Sequence, residues 1–369
     1  MVMQQTPLIA QHRAAGAKLV DFAGWEMPIQ YSGVLDEYHT VRAKAGLFDV
    51  SHMGRITVSG PGSVGFLQYV TTNDVSKISV GSSQYSMVCN PNGGIQDDIF
   101  VYHVKPYEFL VCVNASNRAK IVAWLLEKVS HVQGCKVRDC SAELAQIAVQ
   151  GPISRELLID AGVAEVADVK VRQCRAVTAF GGSVIVSRTG YTGELGYELY
   201  LPADRAAQAW EQLLKVGQSE GVKPAGLGAR DLLRLDMGYL LYGNDISEET
   251  SPLEAGAEWV VNFEKGEFVG RASLLAQRTQ GLARRLVGFE LLEKAVPRHG
   301  FPMLSADSSR QSIGEVTSGN LSPILQKGIG LASVVSRYAE PGTRIQVDIR
   351  GKAVPAIVVK PPFYKKLKN

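Results

Sequence analysis

The chain has 369 residues, a length that at about 150 residues per domain predicts two or three domains. Hydrophobic residues make up 46%, and 39 lysines and arginines against 36 aspartates and glutamates leave a net charge of only +3. This balance argues against a nucleic-acid binder that works through bulk charge, and no apolar run approaches the ~18 residues of a membrane span or resembles a secretory signal. We therefore expect a soluble, intracellular, multi-domain protein.

Short apolar runs alternate with glycine-rich turns along most of the chain, and helical periodicity is visible in residues 119–129 and 203–216. The order of these segments is irregular rather than a repeated strand–helix alternation. An α+β architecture with antiparallel sheets is therefore favoured over a doubly wound parallel sheet.

Residues 48–54 contain Asp49, Ser51 and His52, which invites a catalytic-triad interpretation. We reject it, because a triad is assembled from residues that are distant in sequence, and we expect His52 to be structural. The other histidines are single, and the five cysteines include no CxxC pair. The sequence thus predicts no metal site and reduced thiols in a cytosol-like compartment.

Residues 84–102 form two apolar segments around an Asn-Pro-Asn-Gly-Gly turn, which predicts a β-hairpin. A period of two places Asp98, Phe100 and Tyr102 on one face of the second strand and Asp97 on the other. Both faces are apolar, so at least one carboxylate should be buried and have a raised pKa, as a general base or acid requires. The alternative is that both aspartates accept hydrogen bonds from turn amides at the neck of the hairpin.

Residues 187–199 contain three glycines between strand-like runs, which indicates a tight loop that allows a ligand to approach the backbone closely. Tyr191 and Glu198 could supply an aromatic wall and a carboxylate for the N–H edge of a planar heterocycle. The alternative is an ordinary hairpin in which Glu198 forms a salt bridge.

Residues 223–231 resemble a dinucleotide-binding glycine motif only weakly, and no strand–helix–strand frame surrounds them. We interpret them as the start of a helix, where Arg230 either binds a ligand oxygen or pairs with a neighbouring acid.

A polar, basic stretch at residues 278–285 precedes a segment that consists almost wholly of predicted strands. This pattern predicts a small barrel or sandwich of roughly 85 residues, followed by an extended segment at 360–364 that contains Pro-Pro. The predicted strands cover residues 286–291, 312–317, 328–335, 344–349 and 353–359.

Taken together, these segments resemble the aminomethyltransferase family, the T proteins of the glycine cleavage system. The resemblance spans essentially the whole chain and is specific in the order and spacing of its motifs. The matching segments are 6–8 with His12, 21–28, 48–54, 92–98, 150–152, 188–198, 226–234, 242–245 and 317–323.

The resemblance implies a three-lobed α+β fold around a central folate cavity. Residues 1–278 would form two interleaved folate-binding lobes of mixed α/β structure with antiparallel sheets, and residues 284–364 a C-terminal β-barrel domain. It also implies the reaction, in which the one-carbon unit of an aminomethyl group on the dihydrolipoyl arm of H protein passes to tetrahydrofolate. Ammonia and 5,10-methylenetetrahydrofolate are the products, and no metal, flavin or nucleotide cofactor is expected.

The resemblance further implies roles for eight residues of this chain. Asp98 corresponds to the catalytic carboxylate of the family, beside the folate. The others match ligand-binding or cavity-lining positions: Glu198, Arg230, Tyr85, Tyr191, Tyr239, Asn114 and Met53. Where the family usually has Arg-Leu-Glu, this chain has Arg-Leu-Asp at 234–236, and we assign no role to Asp236.

Two alternative functions remain at this stage. The first is the T-like folate module of a sarcosine or dimethylglycine oxidoreductase, although such proteins carry a large flavin-binding region upstream and this chain begins at the T-like start. The second is a non-enzymatic folate-binding protein of the iron–sulfur maintenance type. Relatives of that type carry a Lys-Gly-Cys-Tyr-x-Gly segment, and residues 188–193 here contain no cysteine.

The expected partners are lipoylated H protein and, functionally, the P and L proteins, with no nucleic acid and no membrane. The expected compartment is the cytoplasm, or the mitochondrial matrix for a mature eukaryotic chain. H proteins of this system are typically acidic, so a basic rim is expected, although ordinary solvated surface charge is the better explanation for most of the same side chains. The candidates are Arg278, Arg284, Arg285, Arg298, Lys365, Lys366 and Lys368.

Overall fold

The computed structural model describes residues 3–365, which divide into two compact units. The first unit comprises residues 3–86 and 97–231, and the second comprises residues 87–96 and 232–365. The helices are α1 Ile9–Ala14, α2 Val34–Ala43, α3 Ser63–Val70, α4 Arg118–Val129, α5 Ser154–Asp160, α6 Ala206–Val216, α7 Leu227–Asp236 and α8 Arg271–Gln280.

The strands outnumber the helices, and most of them are short. They are β1 Lys18–Phe22, β2 Trp25–Gln30, β3 Gly46–Asp49, β4 Gly54–Ser59, β5 Ser82–Cys89, β6 Ile95–Lys105, β7 Glu108–Val113, β8 Lys136–Asp139, β9 Leu144–Gln150, β10 Cys174–Ala179, β11 Gly182–Ser187, β12 Gly196–Pro202, β13 Lys223–Pro224, β14 Arg284–Leu291, β15 Pro302–Ser305, β16 Ser312–Ser322, β17 Lys327–Val335, β18 Arg344–Ile349 and β19 Lys352–Val359.

The first unit is built on two larger sheets and a two-stranded ribbon of β1 and β2. The six-stranded sheet has the order β10-β11-β12-β9-β3-β13, in which β13 runs parallel to β3 and the other pairs are antiparallel. The five-stranded sheet has the order β5-β6-β7-β4-β8. Helices α5 and α6 cover the six-stranded sheet, where Trp210 is 2% exposed and packs among aliphatic side chains of β9 and β12.

The predicted hairpin of β5 and β6 is confirmed, and hydrogen bonds within the turn explain its shape. The side-chain oxygen of Asn90 accepts hydrogen bonds from the amides of Asn92 at 2.9 Å and Gly94 at 3.0 Å. Gly93 has a φ of +86°, a conformation that glycine adopts without steric cost. The turn thereby fixes the register of β6 against β5, and this register determines which face of the sheet each of Asp97 and Asp98 occupies.

The second unit contains a closed barrel of strands in the order β14-β17-β16-β15-β18-β19, closed by antiparallel pairing of β14 with β19. Its interior is aliphatic except for the fully buried ring of Phe289. The segment after β19 ends with Phe363 packed on Leu235, Ile329 and Leu331. The α+β class is thus confirmed. Of the two architectures predicted for the C-terminal domain, barrel or sandwich, the structure shows the barrel.

The sequence missed β15, because a four-residue strand that begins with proline carries too little alternation to be recognised. It also placed the end of β16 at residue 317, whereas the strand continues to Ser322 past a bulge between Val316 and Ser318. Residues 203–205 form a 3₁₀ turn ahead of α6. No helix within residues 3–365 is long and apolar enough to cross a membrane.

Replacing Trp210 by alanine should lower the free energy of unfolding by about 3–5 kcal/mol, because it leaves a cavity in the core of the six-stranded sheet. Urea denaturation followed by circular dichroism measures this loss. Trp259→Ala is the matched control, since that indole is 60% exposed and its removal should cost less than about 0.5 kcal/mol. Equal losses in the two variants would contradict the packing described for Trp210.

Candidate functional site

The carboxylate of Asp98 lies on β6, half-buried, with a hydrogen-bond donor at each oxygen. The hydroxyl of Tyr85 donates to Oδ2 at 2.8 Å, and the side-chain amide of Asn114 donates to Oδ1 at 2.7 Å. Burial and the neighbouring Asp98 charge raise the pKa of Tyr85 well above its ordinary value, which keeps the phenol protonated as a donor. The structure thus brings three of the predicted site residues into direct contact.

Asp97 points to the other face of β6, where its side chain is fully buried. It accepts hydrogen bonds from the backbone N–H of Asn114 at 2.9 Å and from the side-chain amides of Asn114 at 2.8 Å and Asn117 at 2.7 Å. Burial, together with the charge of Asp98, raises the pKa of Asp97 to about 8, although the three N–H donors act in the opposite direction. One Asn114 amide therefore connects both carboxylates.

These contacts decide between the two interpretations of the hairpin. The donors to Asp97 come from the segment that follows β7 and not from amides of the hairpin turn, so the turn-amide alternative is wrong for that residue. The expectation that at least one carboxylate is buried with a raised pKa is confirmed, at Asp97.

Glu198 lies on β12 with its side chain 8% exposed, and neutral donors surround its carboxylate. Thr189 and Tyr102 donate to Oε2, the latter at 3.4 Å, and Gln146 donates to Oε1 at 3.2 Å. Among the described residues no cation lies within 4 Å of this carboxylate. The salt-bridge alternative for Glu198 is therefore wrong, because hydroxyl and amide groups take the place of the cation.

An aromatic row on one face of β5 and β6 links the two carboxylate groups. The ring centroids of Tyr85 and Phe100 are 5.6 Å apart, and those of Phe100 and Tyr102 are 5.8 Å apart and stacked. The hydroxyl at one end of the row bonds Asp98 and the hydroxyl at the other end bonds Glu198. The row thus joins two acceptor groups of one unit through the half-buried rings of Tyr85 and Phe100 and the buried ring of Tyr102.

The guanidinium of Arg230 on α7 stacks on the ring of Tyr191, 4.7 Å from its centroid. Burial lowers the pKa of Arg230, and the charge of Glu198 lies close enough to oppose that effect. The predicted helix start is confirmed at Leu227. No acid within the described residues forms an ion pair with Arg230, so the neighbouring-acid alternative is wrong.

Close packing explains two of the three glycines in the glycine-rich loop. A Cβ at Gly190 or Gly196 would collide with the side chain of Gln150. The Gln150 amide donates to the carbonyl of Thr189 at 3.2 Å, and its oxygen accepts from Thr192 at 2.9 Å. At these two positions the close neighbour is therefore Gln150, and the contact fixes the loop that carries Thr189 and Tyr191.

Met53 and Tyr239 are the remaining predicted site residues. Met53 is half-buried and packs on a cluster that contains Tyr102 and Tyr200. Tyr239 follows α7 in the second unit, 37% exposed, and its carbonyl accepts a hydrogen bond from Arg234 at 3.0 Å. Asp236, to which no role was assigned, is fully buried and accepts a hydrogen bond from Ser322 at 2.8 Å, which stabilises the second unit.

Asp49 pairs with His12 and not with His52. The His12 Nε2 to Asp49 Oδ2 distance is 2.8 Å, Thr6 donates to the same oxygen at 2.6 Å, and Tyr31 contacts the other ring nitrogen at 2.9 Å. Burial lowers the pKa of His52 to about 3, so its ring is neutral. The rejection of a local triad is confirmed.

The sequence missed Gln146 on β9 and Thr189 in the loop after β11, which reach Glu198 only through the fold. The residue spacing carries no signal for either. Tyr102, by contrast, shares a face of β6 with Asp98, and the period of two could have marked it. Within residues 3–365 no three histidine, cysteine, aspartate or glutamate side chains are grouped as metal ligands would be.

The fold and these contacts define a class, an α+β protein with buried carboxyl groups beside aromatic side chains. Comparison with known proteins is more specific. A family model for the GCVT N-terminal domain matches residues 8–265, and one for the glycine cleavage T-protein C-terminal barrel domain matches residues 284–365. The chain belongs to this glycine cleavage T-protein family, as the sequence resemblance indicated.

The relatives extend along the whole chain. An aminomethyltransferase of Thermoanaerobacter pseudethanolicus is 44% identical over 99% of this chain and 98% of its own length. One of Prosthecochloris aestuarii is 46% identical over 98% and 99%, respectively. The crystal structure of glycine cleavage system aminomethyltransferase T from Bartonella henselae superposes with a TM-score of 0.92 at 35% identity and covers 98% of each chain. The protein is accordingly an enzyme of the transferase class.

The raised pKa of Asp97 predicts that the stability of the protein depends on pH in a way that tests the burial of this side chain. Its folded value of about 8 lies above the ordinary 3.8, so the folded protein retains a proton that the unfolded chain releases as pH rises between those values. The stability contributed by Asp97 is therefore lost as pH rises from about 4 to about 8. Asp97→Asn lacks the titrating group, so its stability does not fall in this way. The difference in melting temperature, variant minus wild type, should therefore increase steadily over that interval.

Differential scanning calorimetry at several pH values measures the effect. Asp160→Asn is the control, because that aspartate is exposed at the end of α5 and its variant should follow the wild-type profile. Parallel pH profiles for wild type and Asp97→Asn would contradict the raised pKa.

Proposed function

We propose that this chain transfers the one-carbon unit of the aminomethyl group from the dihydrolipoyl arm of lipoylated H protein to tetrahydrofolate. The reaction releases ammonia and forms 5,10-methylenetetrahydrofolate. The observation that carries the proposal is the aromatic row that joins Asp98 to Glu198, in a chain whose full-length relatives are aminomethyltransferases. No specific observation favours a non-enzymatic binding protein or an oxidoreductase module.

The residues fit the chemistry of a reduced pterin. A pterin presents a planar ring and an N–H edge, and these match an aromatic wall and a carboxylate. Glu198 would accept from the N–H edge, while Tyr191, held by Arg230, would contact the ring or the adjoining group. Tyr85 and Asn114 would hold Asp98 at the reacting end. Met53 and Tyr239 are proposed as further lining residues.

Asp98 is the proposed catalytic residue. Loss of the lipoyl thiolate leaves a cationic, strongly electrophilic CH2=NH2+ unit, and N5 of the folate attacks it. The C–NH2 bond then breaks with release of ammonia, and N10 bonds to the same carbon to close the 5,10-methylene bridge. A carboxylate at this point stabilises the positive charge and accepts the proton that is released as the new N–C bond forms. The buried surroundings position the reactants and exclude water, which would otherwise hydrolyse the cation.

The proposal also covers the domain organisation, the cofactors, the partners and the compartment of the enzyme. Residues 1–278 form the folate-binding region and residues 284–364 the barrel domain. No metal, flavin or nucleotide takes part, and P and L proteins complete the system in the cytoplasm. A basic rim that includes Arg278, Arg284, Arg285, Arg298 and Lys365 would meet an acidic H protein. Lys366 and Lys368, also predicted for this rim, lie outside the described residues.

Reconstitution tests the function. With purified P, H and L proteins, glycine and tetrahydrofolate, formation of methylenetetrahydrofolate should depend on added chain in proportion to its concentration. A rate that is unchanged without the chain would contradict the proposal.

Asp98→Asn should lower kcat at least ~100-fold, because the amide cannot accept the proton, while the dissociation constant for tetrahydrofolate stays within a few-fold. The reconstituted assay and calorimetric titration measure the two quantities. Asp160→Asn, on the exposed end of α5, is the control for the same chemical change. Turnover near the wild-type rate in Asp98→Asn would refute the catalytic role.

Glu198→Gln and Arg230→Ala should act first on binding. The dissociation constant for tetrahydrofolate should rise about tenfold or more in each, as expected for a lost hydrogen bond or contact to a charged group. Calorimetric titration measures it, with Glu220→Gln on the exposed surface as the control. Wild-type affinity in both variants would remove these residues from the ligand site.

A further inference from the structure

We propose that Thr189, Tyr102 and Gln146 are positioning residues that fix the Glu198 carboxylate and thereby set the affinity of the enzyme for tetrahydrofolate. The inference rests on the proposed function, because it concerns the same ligand site. It adds three residues that do not themselves need to touch the ligand.

The first support is the division of donors between the two oxygens of Glu198. Oε2 accepts from two hydroxyls, those of Thr189 and Tyr102, whereas Oε1 accepts only from the Gln146 amide. A carboxylate oxygen accepts about two hydrogen bonds, so the remaining capacity lies on Oε1. The protein donors therefore orient Glu198 so that Oε1 is the atom that receives a ligand N–H.

The second support is that each donor is itself held in place. The Thr189 hydroxyl lies 2.7 Å from Ser187 Oγ, and the Tyr102 hydroxyl accepts from Tyr200 at 2.9 Å. The Gln146 amide also donates to the Tyr200 hydroxyl at 3.2 Å. Because every donor has a second partner, none can rotate away from Glu198 without breaking another hydrogen bond.

The third support is burial. Thr189 is 8%, Tyr102 1%, Gln146 2% and Tyr200 1% exposed. Tyr102 belongs to the five-stranded sheet, Gln146 and Tyr200 belong to the six-stranded sheet, and Thr189 lies in the loop after β11. A hydrogen bond to a charged group is worth more when water cannot replace it. Loss of one of these donors should therefore free the Glu198 carboxylate to rotate toward other partners.

Thr189→Val tests the proposal, because valine keeps the shape of threonine and removes the hydroxyl. The KM for tetrahydrofolate should rise about tenfold or more, the range expected for a lost donor to a charged group, while kcat changes less than about threefold. Thr189→Ser should restore the wild-type KM. Thr178→Val is the matched control, since that threonine is exposed on β10 and its variant should behave as wild type.

A double-mutant cycle separates positioning from a general structural effect. If Thr189 acts through Glu198, adding Thr189→Val to Glu198→Gln should raise KM less than about twofold further, because the carboxylate that it positions is already gone. The same fold increase in both backgrounds, or a wild-type KM in Thr189→Val, would overturn the proposal.

Two further results keep the outcomes distinct. A wild-type KM in Glu198→Gln would contradict the ligand role of Glu198 and the positioning role with it, whereas a raised KM in Glu198→Gln but not in Thr189→Val would refute positioning alone.

If Thr189→Val does not fold, Tyr102→Phe replaces it. That variant should raise KM about threefold or more with kcat retained, and an unchanged KM would again overturn the proposal.

Discussion

A buried carboxyl group is costly unless hydrogen-bond donors replace the water it has lost, and the first unit buries several, among them the three of Asp49, Asp97 and Glu198. Much of the local structure serves this requirement. The strand β7 ends so that the next residues supply amide donors to Asp97, and the loop after β11 delivers the hydroxyl of Thr189 to Glu198. The sheets and loops are therefore tied together at these acceptors.

The three carboxylates are satisfied in different ways, and the difference separates structure from chemistry. Asp49 has a histidine partner, and although burial acts to raise its pKa, the contact with His12 holds that pKa below the ordinary value. Glu198 has only neutral donors among the described residues, so its negative charge is available to a ligand. Burial and the charge of Asp98 raise the pKa of Asp97, and the Asn114 amide donates hydrogen bonds to both side chains. Asp98 is only half-buried, and it is the one of the two that we propose as the catalytic residue.

The hairpin shows how much of the fold and site the sequence predicts. The turn residues, the period of two and the apolar surroundings sufficed to place Asp97 and Asp98 on opposite faces and to predict a buried carboxylate. They did not reveal its donors, because Asn114 and Asn117 follow another strand and become neighbours only when β6 and β7 pair. Gln146 and Thr189 could not be predicted for the same reason, because their contact with Glu198 requires three strands to be aligned. The pattern of the glycine-rich loop and the family resemblance both indicated Glu198 as a candidate site residue, and neither indicated what holds it.

The central claim is that one ligand spans the two acceptor groups at the ends of the aromatic row. A crystal structure of this enzyme with bound tetrahydrofolate tests it most directly. The account predicts the N–H edge of the pterin within hydrogen-bond distance of Glu198 Oε1, and Asp98 within hydrogen-bond distance of the amine nitrogens of the folate. A pterin bound away from both carboxylates would contradict the account.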